Sequence, residues 1–448
     1  MTTSLTDLTD AMLMAAERAG AEAADAIAMR GSSVRVGVRA ATLEQAEAAD
    51  GTDIGLRVII GGRQACVSAS DTSQTTIDTL AERACAMAME APVDPHAGLA
   101  DPDQLGHGCD LAALDLHDRS DAPAPDALRD AALAVEEAAL SVAGVTQVSG
   151  AAASHTDRHV HLAATNGFSA GYSRSDHSLY GVAIAGEGTG MERDSDGDSR
   201  IYLSDLRSAE DIGRNAGERA VALLNARKPK TGTYPVLYDE RIAGTLISHL
   251  LGAANGQAIS RGASWLRDRQ GEQVLPETLD LIEDPHRPRV AGSRAFDAEG
   301  LPTARRAIVD AGVLQGWTLD LSTARKLGAS STANAMRGTG GPPSPGNWNI
   351  SLTQGSQSRE ELMRDMGTGL LVTSMIGATI NPNTGDYSRG ASGFWVEKGE
   401  IAYPVNECTI AGSLPEMLRG LIPANDARTH LSRVVPSLLV EGMTLAGS

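Results

Sequence analysis

The sequence predicts a multi-domain α+β protein. Two smaller α/β-sheet domains, over residues 1–115 and 116–228, precede a large, mainly antiparallel β domain over 229–448. Three observations predict this. The chain has 448 residues, and a single core is not expected to grow that large, so about three domains follow from length. Runs of strand-like residues are joined at turn signals such as Gly61-Gly62, Asn166-Gly167 and Lys398-Gly399, which mark hairpins. Two stretches interrupt the periodic segments: residues 91–124, rich in Pro, Gly and Asp, and Arg227-Lys228-Pro229-Lys230-Thr231-Gly232, which read as linkers.

Taken in order, residues 4–20 read as an amphipathic helix stopped by Gly20. Strands are expected over 25–29, 33–38 and 53–60, with a return strand over 64–68 after the Gly-Gly turn. A helix follows over 73–90, with Ile77, Leu80, Ala81, Ala84, Met87 and Ala88 on its apolar face. The second domain opens with a helix over 125–142. Strands over 145–153, 159–165, 168–175 and 179–186 come next, and a helix over 209–225. The third domain opens with a strand over 234–238. Asp239 then caps a helix whose apolar residues Ile242, Leu246, Ile247, Leu250 and Leu251 recur at helical spacing. Beyond it lie short strands and Gly-rich turns. The Gly/Pro run 338–347 is excluded from helix and from any central strand, and reads as a rigid loop or a groove wall.

Composition narrows the function classes. Net charge is −19, which argues against a nucleic-acid partner, since such affinity rests on Lys and Arg. Aromatic residues are 3%, so the cores must be built from Ala, Val, Leu and Ile. Cys66, Cys85, Cys109 and Cys408 are scattered without a Cys-x-x-Cys pair, as expected of reduced thiols in a cytoplasmic protein. The N-terminal helix carries Asp7, Asp10 and Glu17 and no basic lead-in, unlike a signal peptide. No apolar run reaches membrane-spanning length.

The helix after Asp239 carries one histidine, His249. Zinc peptidases place two histidines and a glutamate on one helix, the histidines holding zinc and the glutamate activating its water. Here His249 is followed by Leu250, Leu251, Gly252, Ala253, Ala254 and Asn255, none of which can hold zinc in that pattern. A core or interface histidine is the expectation.

Other candidates are weaker. His96, His107 and His117 fall in the 91–124 stretch without zinc spacing and read as loop residues. His159 and His161 share one face of a strand, with His155 apart and no third ligand evident. The run from Arg193 to Asp198 imitates the start of a calcium loop but lacks the closing glutamate, and reads as an acidic surface turn. Gly338-Thr339-Gly340-Gly341 precedes prolines instead of a helix, so it is no phosphate cradle. No Gly-x-Ser-x-Gly elbow occurs, and nothing local brings Ser388 or Ser392 to His249. Asp386 and Arg389 read as a salt-bridged turn.

A set of short motifs runs through the chain in order: GGRQA (61–65), TNGF (165–168), GSRAFD (292–297), ARKLG (324–328), GTGGPP (338–343), GDYSRG (385–390), GFWVE (393–397) and EIAYPV (400–405). With the helix that carries His249, this order resembles the TldD/PmbA peptidase family, and specifically its PmbA/TldE branch. The resemblance implies that the TldD branch carries H-E-x-x-x-H on the equivalent helix and a cysteine ligand late in its last domain, and is a zinc peptidase. It implies that the PmbA/TldE branch lacks that motif. This chain is therefore expected to be the non-catalytic subunit of a zinc metallopeptidase complex acting on unstructured peptides. No cofactor is expected in the chain itself; zinc belongs to a TldD-like partner. His249, Asp386, Tyr387, Ser388 and Arg389 are the expected substrate or partner groove. Cys408 is not matched to the cysteine ligand, because without paired histidines it has no site to complete. The alternative is a metal-free homodimer that binds peptides or another protein.

Overall fold

The computed structural model describes residues 3–106 and 110–447. His107 and Cys109 lie outside the described residues. Helix α1 (Leu5–Arg18) starts in a capping box, in which the Ser4 hydroxyl accepts from the Asp7 amide and the Asp7 carboxylate accepts from the Ser4 N–H. Strands β1 (Ala23–Arg39), β2 (Thr42–Ile60) and β3 (Arg63–Ala69) follow, then α2 (Gln74–Glu90) and the single turn α3 (Leu111–Leu114). Next come α4 (Pro125–Leu140), β4 (Val145–Ala164), β5 (Ser169–Ala185), β6 (Glu192–Arg200) and α5 (Ala209–Ala222).

These six strands form one antiparallel sheet in the order β3-β2-β1-β4-β5-β6. Strand β1 pairs with β2 on one side, from Ala23↔Ile59 to Arg39↔Thr42, and with β4 on the other, from Asp25↔Ala164 to Val38↔Ala151. The first two sequence segments therefore share a sheet across the linker at 91–124. The expected pairs of short strands, 25–29 with 33–38 and 145–153 with 159–165, are each one continuous strand. Polar residues interrupt the apolar alternation there without interrupting the backbone ladder. Residues 42–51 of β2 are exposed on both faces, which is why no alternation marked them as strand.

Helices α1 and α2 cover one end of the sheet through Leu8, Met12, Ile77, Leu80 and Ala84, against Ala24, Ala26, Ala28, Ile54, Leu56 and Val58. Helices α4 and α5 cover the other end through Leu128, Val135, Ile212 and Ala216, against Val36, Val38, Val148 and Leu179. Ala24 to Ala28 and Val36 to Val38 have the same parity on β1, so both helix pairs lie on one face. The opposite face buries Ile27, Val160, Leu162 and Phe168 against Leu114, Leu116, Ala295 and Phe296.

The C-terminal part opens with β7 (Gly232–Tyr238), α6 (Glu240–Ala253) and α7 (Gly256–Ser260). Short strands β8 (Leu281–Glu283), β9 (Arg306–Asp310) and β10 (Val313–Leu314) precede α8 (Leu321–Leu327), and β11 (Ala335–Met336), β12 (Ser344–Pro345) and β13 (Ile350–Leu352) precede α9 (Arg359–Met366). Then come β14 (Gly369–Ile380), β15 (Asp386–Glu397), β16 (Glu400–Ser413), α10 (Leu414–Arg419), β17 (Ile422–Pro423), β18 (Arg433–Val434) and β19 (Leu438–Ala446). One sheet runs β16-β15-β14-β7-β19-β17, and β16 also pairs with β19, so five strands curl into a closed ring. Only β7–β14 is parallel in this sheet. A second sheet runs β10-β9-β8-β13-β18. The main core joins Leu246, Ile247 and Leu250 of α6 to Val236, Tyr238, Val372, Tyr387, Trp395 and Leu438. The Gly/Pro loop 338–347 packs on the N-terminal sheet: a Cβ on Gly55 would stand 2.2 Å from the Thr339 carbonyl oxygen. Among the described residues no helix is long and apolar enough to cross a membrane.

Candidate functional site

The first turn of α6 is tied down by charge. The Asp239 side chain accepts from the Arg241 amide and is bridged by Arg241 Nε at 3.0 Å and by an Arg359 nitrogen at 2.9 Å. Arg241 also reaches Asp194 of β6 at 3.3 Å, linking the helix to the N-terminal sheet. Burial would raise the Asp239 carboxyl, but the two guanidinium groups and the Arg241 amide hold it below the ordinary range.

Two turns on, the His249 ring meets the Tyr387 ring edge-on, with centroids 5.9 Å apart. The Tyr387 hydroxyl lies 3.3 Å from the Met375 sulfur and 3.5 Å from the Tyr238 hydroxyl, which is itself 3.4 Å from the Met443 sulfur. His249 Nε2 is buried without a hydrogen-bond partner. Burial and the nearby Arg389 charge hold its pKa below the ordinary value, so the ring is neutral at physiological pH.

Of the residues expected in the groove, the fold gathers three. Tyr387 and Arg389 share one face of β15 and stand beside His249, whereas Asp386 and Ser388 point to the other face. The expected salt-bridged turn is absent. Arg389 Nε donates to the Gly377 carbonyl at 2.6 Å, and Asp386 accepts from Thr384 Oγ1 at 2.6 Å. The same parity turns Ser388 away from His249, which removes the serine–histidine pairing.

The zinc of the TldD branch does not fit these residues. Such a site needs at least three protein donors. Helix α6 offers one histidine, His249; Ala253 and Ala254 stand four and five residues on, and Glu240, at the far end of the helix, is paired with Arg428. Cys408 is 3% exposed, donates to the Ala391 carbonyl at 3.1 Å, and is pushed up to about 11 by burial, far from a thiolate ligand. No zinc-dependent step is assigned to this helix.

The acidic run from Arg193 to Asp198 is strand β6 and not a surface turn. Its alternate acids meet arginines: Asp194 with Arg241, Asp196 with Arg207 and Arg219, and Asp198 with Arg200. Between β6, α6 and β14 opens a groove of about 380 Å³ lined by Asp194, Asp196, Arg219, Arg241, Ser374 and Met375. Beyond Val372, β14 has no described strand on its β7 side, and Ile376 is 73% exposed. Sequence reasoning missed this groove, because its walls come from β6, α5, α6 and β14, segments spread over some 180 residues.

The histidines regroup as well. His117, expected to be a solvated loop residue, lies against Asp157 and His159 of β4. His155, expected to stand apart, is on that same strand face, and its ring lies against that of His177, with centroids 4.6 Å apart and the planes tilted by 36°. His161 instead contacts Thr9 of α1.

The arrangement is a three-segment α+β fold with a ring-like C-terminal sheet and a helix α6 that carries one histidine. Family models match in sequence: the PmbA/TldA metallopeptidase domain 1 at residues 24–88, the central domain at 118–224 and the C-terminal domain at 231–447. Metalloprotease PmbA of Escherichia coli O157:H7 is 35% identical over 428 residues, covering 95% of this chain and 92% of that protein. The chain belongs to the PmbA/TldD family. A solved Bacteroides thetaiotaomicron protein described as a candidate modulator of DNA gyrase matches with a TM-score of 0.90 and 27% identity over 98% of each chain. TldE of Thermococcus kodakarensis, at 21% identity, shares the fold with a TM-score of 0.83, covering 98% of this chain and all of that one.

Proposed function

We propose that this chain is the subunit without catalytic zinc of a two-chain peptidase, acting with a TldD-like partner that carries H-E-x-x-x-H. The observation that carries this is the single histidine on α6: His249 has no second histidine on its helix and faces Tyr387 and Arg389. The groove beside β14 supplies the second half of the reading. An extended peptide can add to an unpaired strand edge by main-chain hydrogen bonds, which need little side-chain specificity and suit unstructured substrates. Free thiols at Cys66, Cys85 and Cys408 fit a cytoplasmic setting.

The test is cleavage of an unstructured peptide by the purified chain, alone and mixed with the partner, with zinc present. Activity only in the mixture is expected, and His249→Ala leaves it within about twofold, since the residue holds no metal. Cleavage by the chain alone that is lost in His249→Ala overturns the proposal. The second reading, a homodimeric binding module, is favoured by β2, whose residues 42–51 leave both faces open. Inert mixtures with a stable self-association would support that reading instead.

A further inference from the structure

We propose that His117, Asp157 and His159 form a binding site for a divalent first-row transition-metal ion on the N-terminal sheet. The site is separate from α6 and does not rest on the peptidase reading. It departs from the sequence expectation that this chain holds no metal.

The fold builds the site from two segments. Strand β4 places Asp157 and His159 on one face, two residues apart, in the gap between the α1–α2 and α4–α5 layers. The chain after α3 then runs beside β5, where Ser175 N–H donates to the Leu116 carbonyl and Asp118 N–H donates to Ser175 Oγ. That pairing buries Leu116 toward the opposite face and sets His117 over Asp157. The result is two imidazoles on either side of one carboxylate: His117 Nε2 to Asp157 Oδ2 at 2.9 Å and His159 Nε2 to Asp157 Oδ1 at 3.0 Å. All three donor atoms lie within 4.8 Å of one another.

Three features favour a cation there. Each imidazole nitrogen stands 2.9 or 3.0 Å from a different oxygen of Asp157, a separation that donors bound at ~2.1 Å in adjacent positions of a six-coordinate ion also show, at roughly 3.0 Å. The Asp157 Oδ1 atom is buried and, despite the nearby His159 nitrogen, makes no aligned hydrogen bond, so it is an acceptor left with an unmet demand. His159 is also oriented from behind: its Nδ1 lies 2.7 Å from Ser173 Oγ, the outer partner that metal-bound histidines usually have. Two histidines and a carboxylate suit zinc, iron(II) or cobalt(II) better than calcium or magnesium, which prefer oxygen donors. His117 and Asp157 keep 26% of their side-chain surface and His159 44%, so an ion can enter and open positions face solvent.

The test is titration of the metal-stripped chain with Co²⁺, read by visible absorption, and with Zn²⁺, read by calorimetry. One equivalent per chain is expected. His117→Ala, Asp157→Asn and His159→Ala should each weaken binding by at least ~10-fold, and Ser173→Ala by about 10-fold. Asp157→Asn is nearly isosteric, and circular dichroism reports whether each variant folds. His249→Gln should bind as the parent does. Absence of saturable uptake means that the three side chains are bridged by protons alone, and overturns the proposal. Uptake that persists in all three ligand variants, or that is lost in His249→Gln, places the ion elsewhere and overturns it equally.

Discussion

Cys408 shows how one side chain is set by its surroundings. Its thiol is enclosed in the ring-shaped sheet and donates to the Ala391 carbonyl, so ionising it would strand a charge in an apolar core. Native chain treated with an alkylating reagent at pH 8 should leave Cys408 unmodified while Cys66, which is partly exposed, reacts; peptide mass mapping reads this. Alkylation of Cys408 at a rate matching Cys66 would show that the thiol is accessible. His249 is the companion case. Its isolation from other donors was legible directly, because the residues after it are apolar. Its contact with Tyr387 was not, since those positions are 138 apart and meet only when α6 packs on β15.

At the scale of elements, the start of α6 combines a cap with an ion-pair cluster. Asp239 is 5% exposed and shared by Arg241 and Arg359. Asp239→Asn keeps a capping side chain but leaves two guanidinium groups without their carboxylate. We expect a loss of about 2 kcal/mol in denaturant unfolding at neutral pH, reduced from a fully buried pair because both arginines are partly exposed. Since the folded carboxyl is held below its ordinary range, its contribution is complete above that range and fades as pH falls through the folded value. The difference between parent and variant should therefore shrink in acid; a difference that stays constant from neutral pH to strong acid contradicts the pairing. Element positions were largely legible here. Asp239 and the spacing of Ile242, Leu246, Ile247 and Leu250 set this helix, and the Gly61-Gly62 turn set the β2–β3 hairpin, with both glycines at positive φ. The length of β1, β4 and β5 was not legible, because strand pairing continues through polar residues that break the alternation.

At the scale of the molecule, the N-terminal sheet and the C-terminal loop are fitted to each other. Gly55 lies under the Thr339 carbonyl with no space for a methyl group. Gly55→Ala must displace backbone rather than a flexible side chain, and should destabilise the chain by about 2 kcal/mol in thermal or denaturant unfolding. Parent-like stability would show that the loop yields freely. Nearby, Pro342 and Pro343 line a cavity with Arg57, Glu299 and Asp320, so the Gly/Pro run is a wall between segments, one of the two roles its composition allowed.

The sequence by itself determined the long helices, the main hairpins, the family and the lack of a second histidine on α6, since each depends on residues close together in the chain. Only the tertiary structure decided that two N-terminal segments share one sheet, that Tyr387 and Arg389 face His249, and that His117 meets Asp157 and His159. Those outcomes depend on backbone ladders and packing between distant segments. Every residue but proline carries the same N–H and C=O groups, so the pattern of side chains does not announce which distant strands will pair.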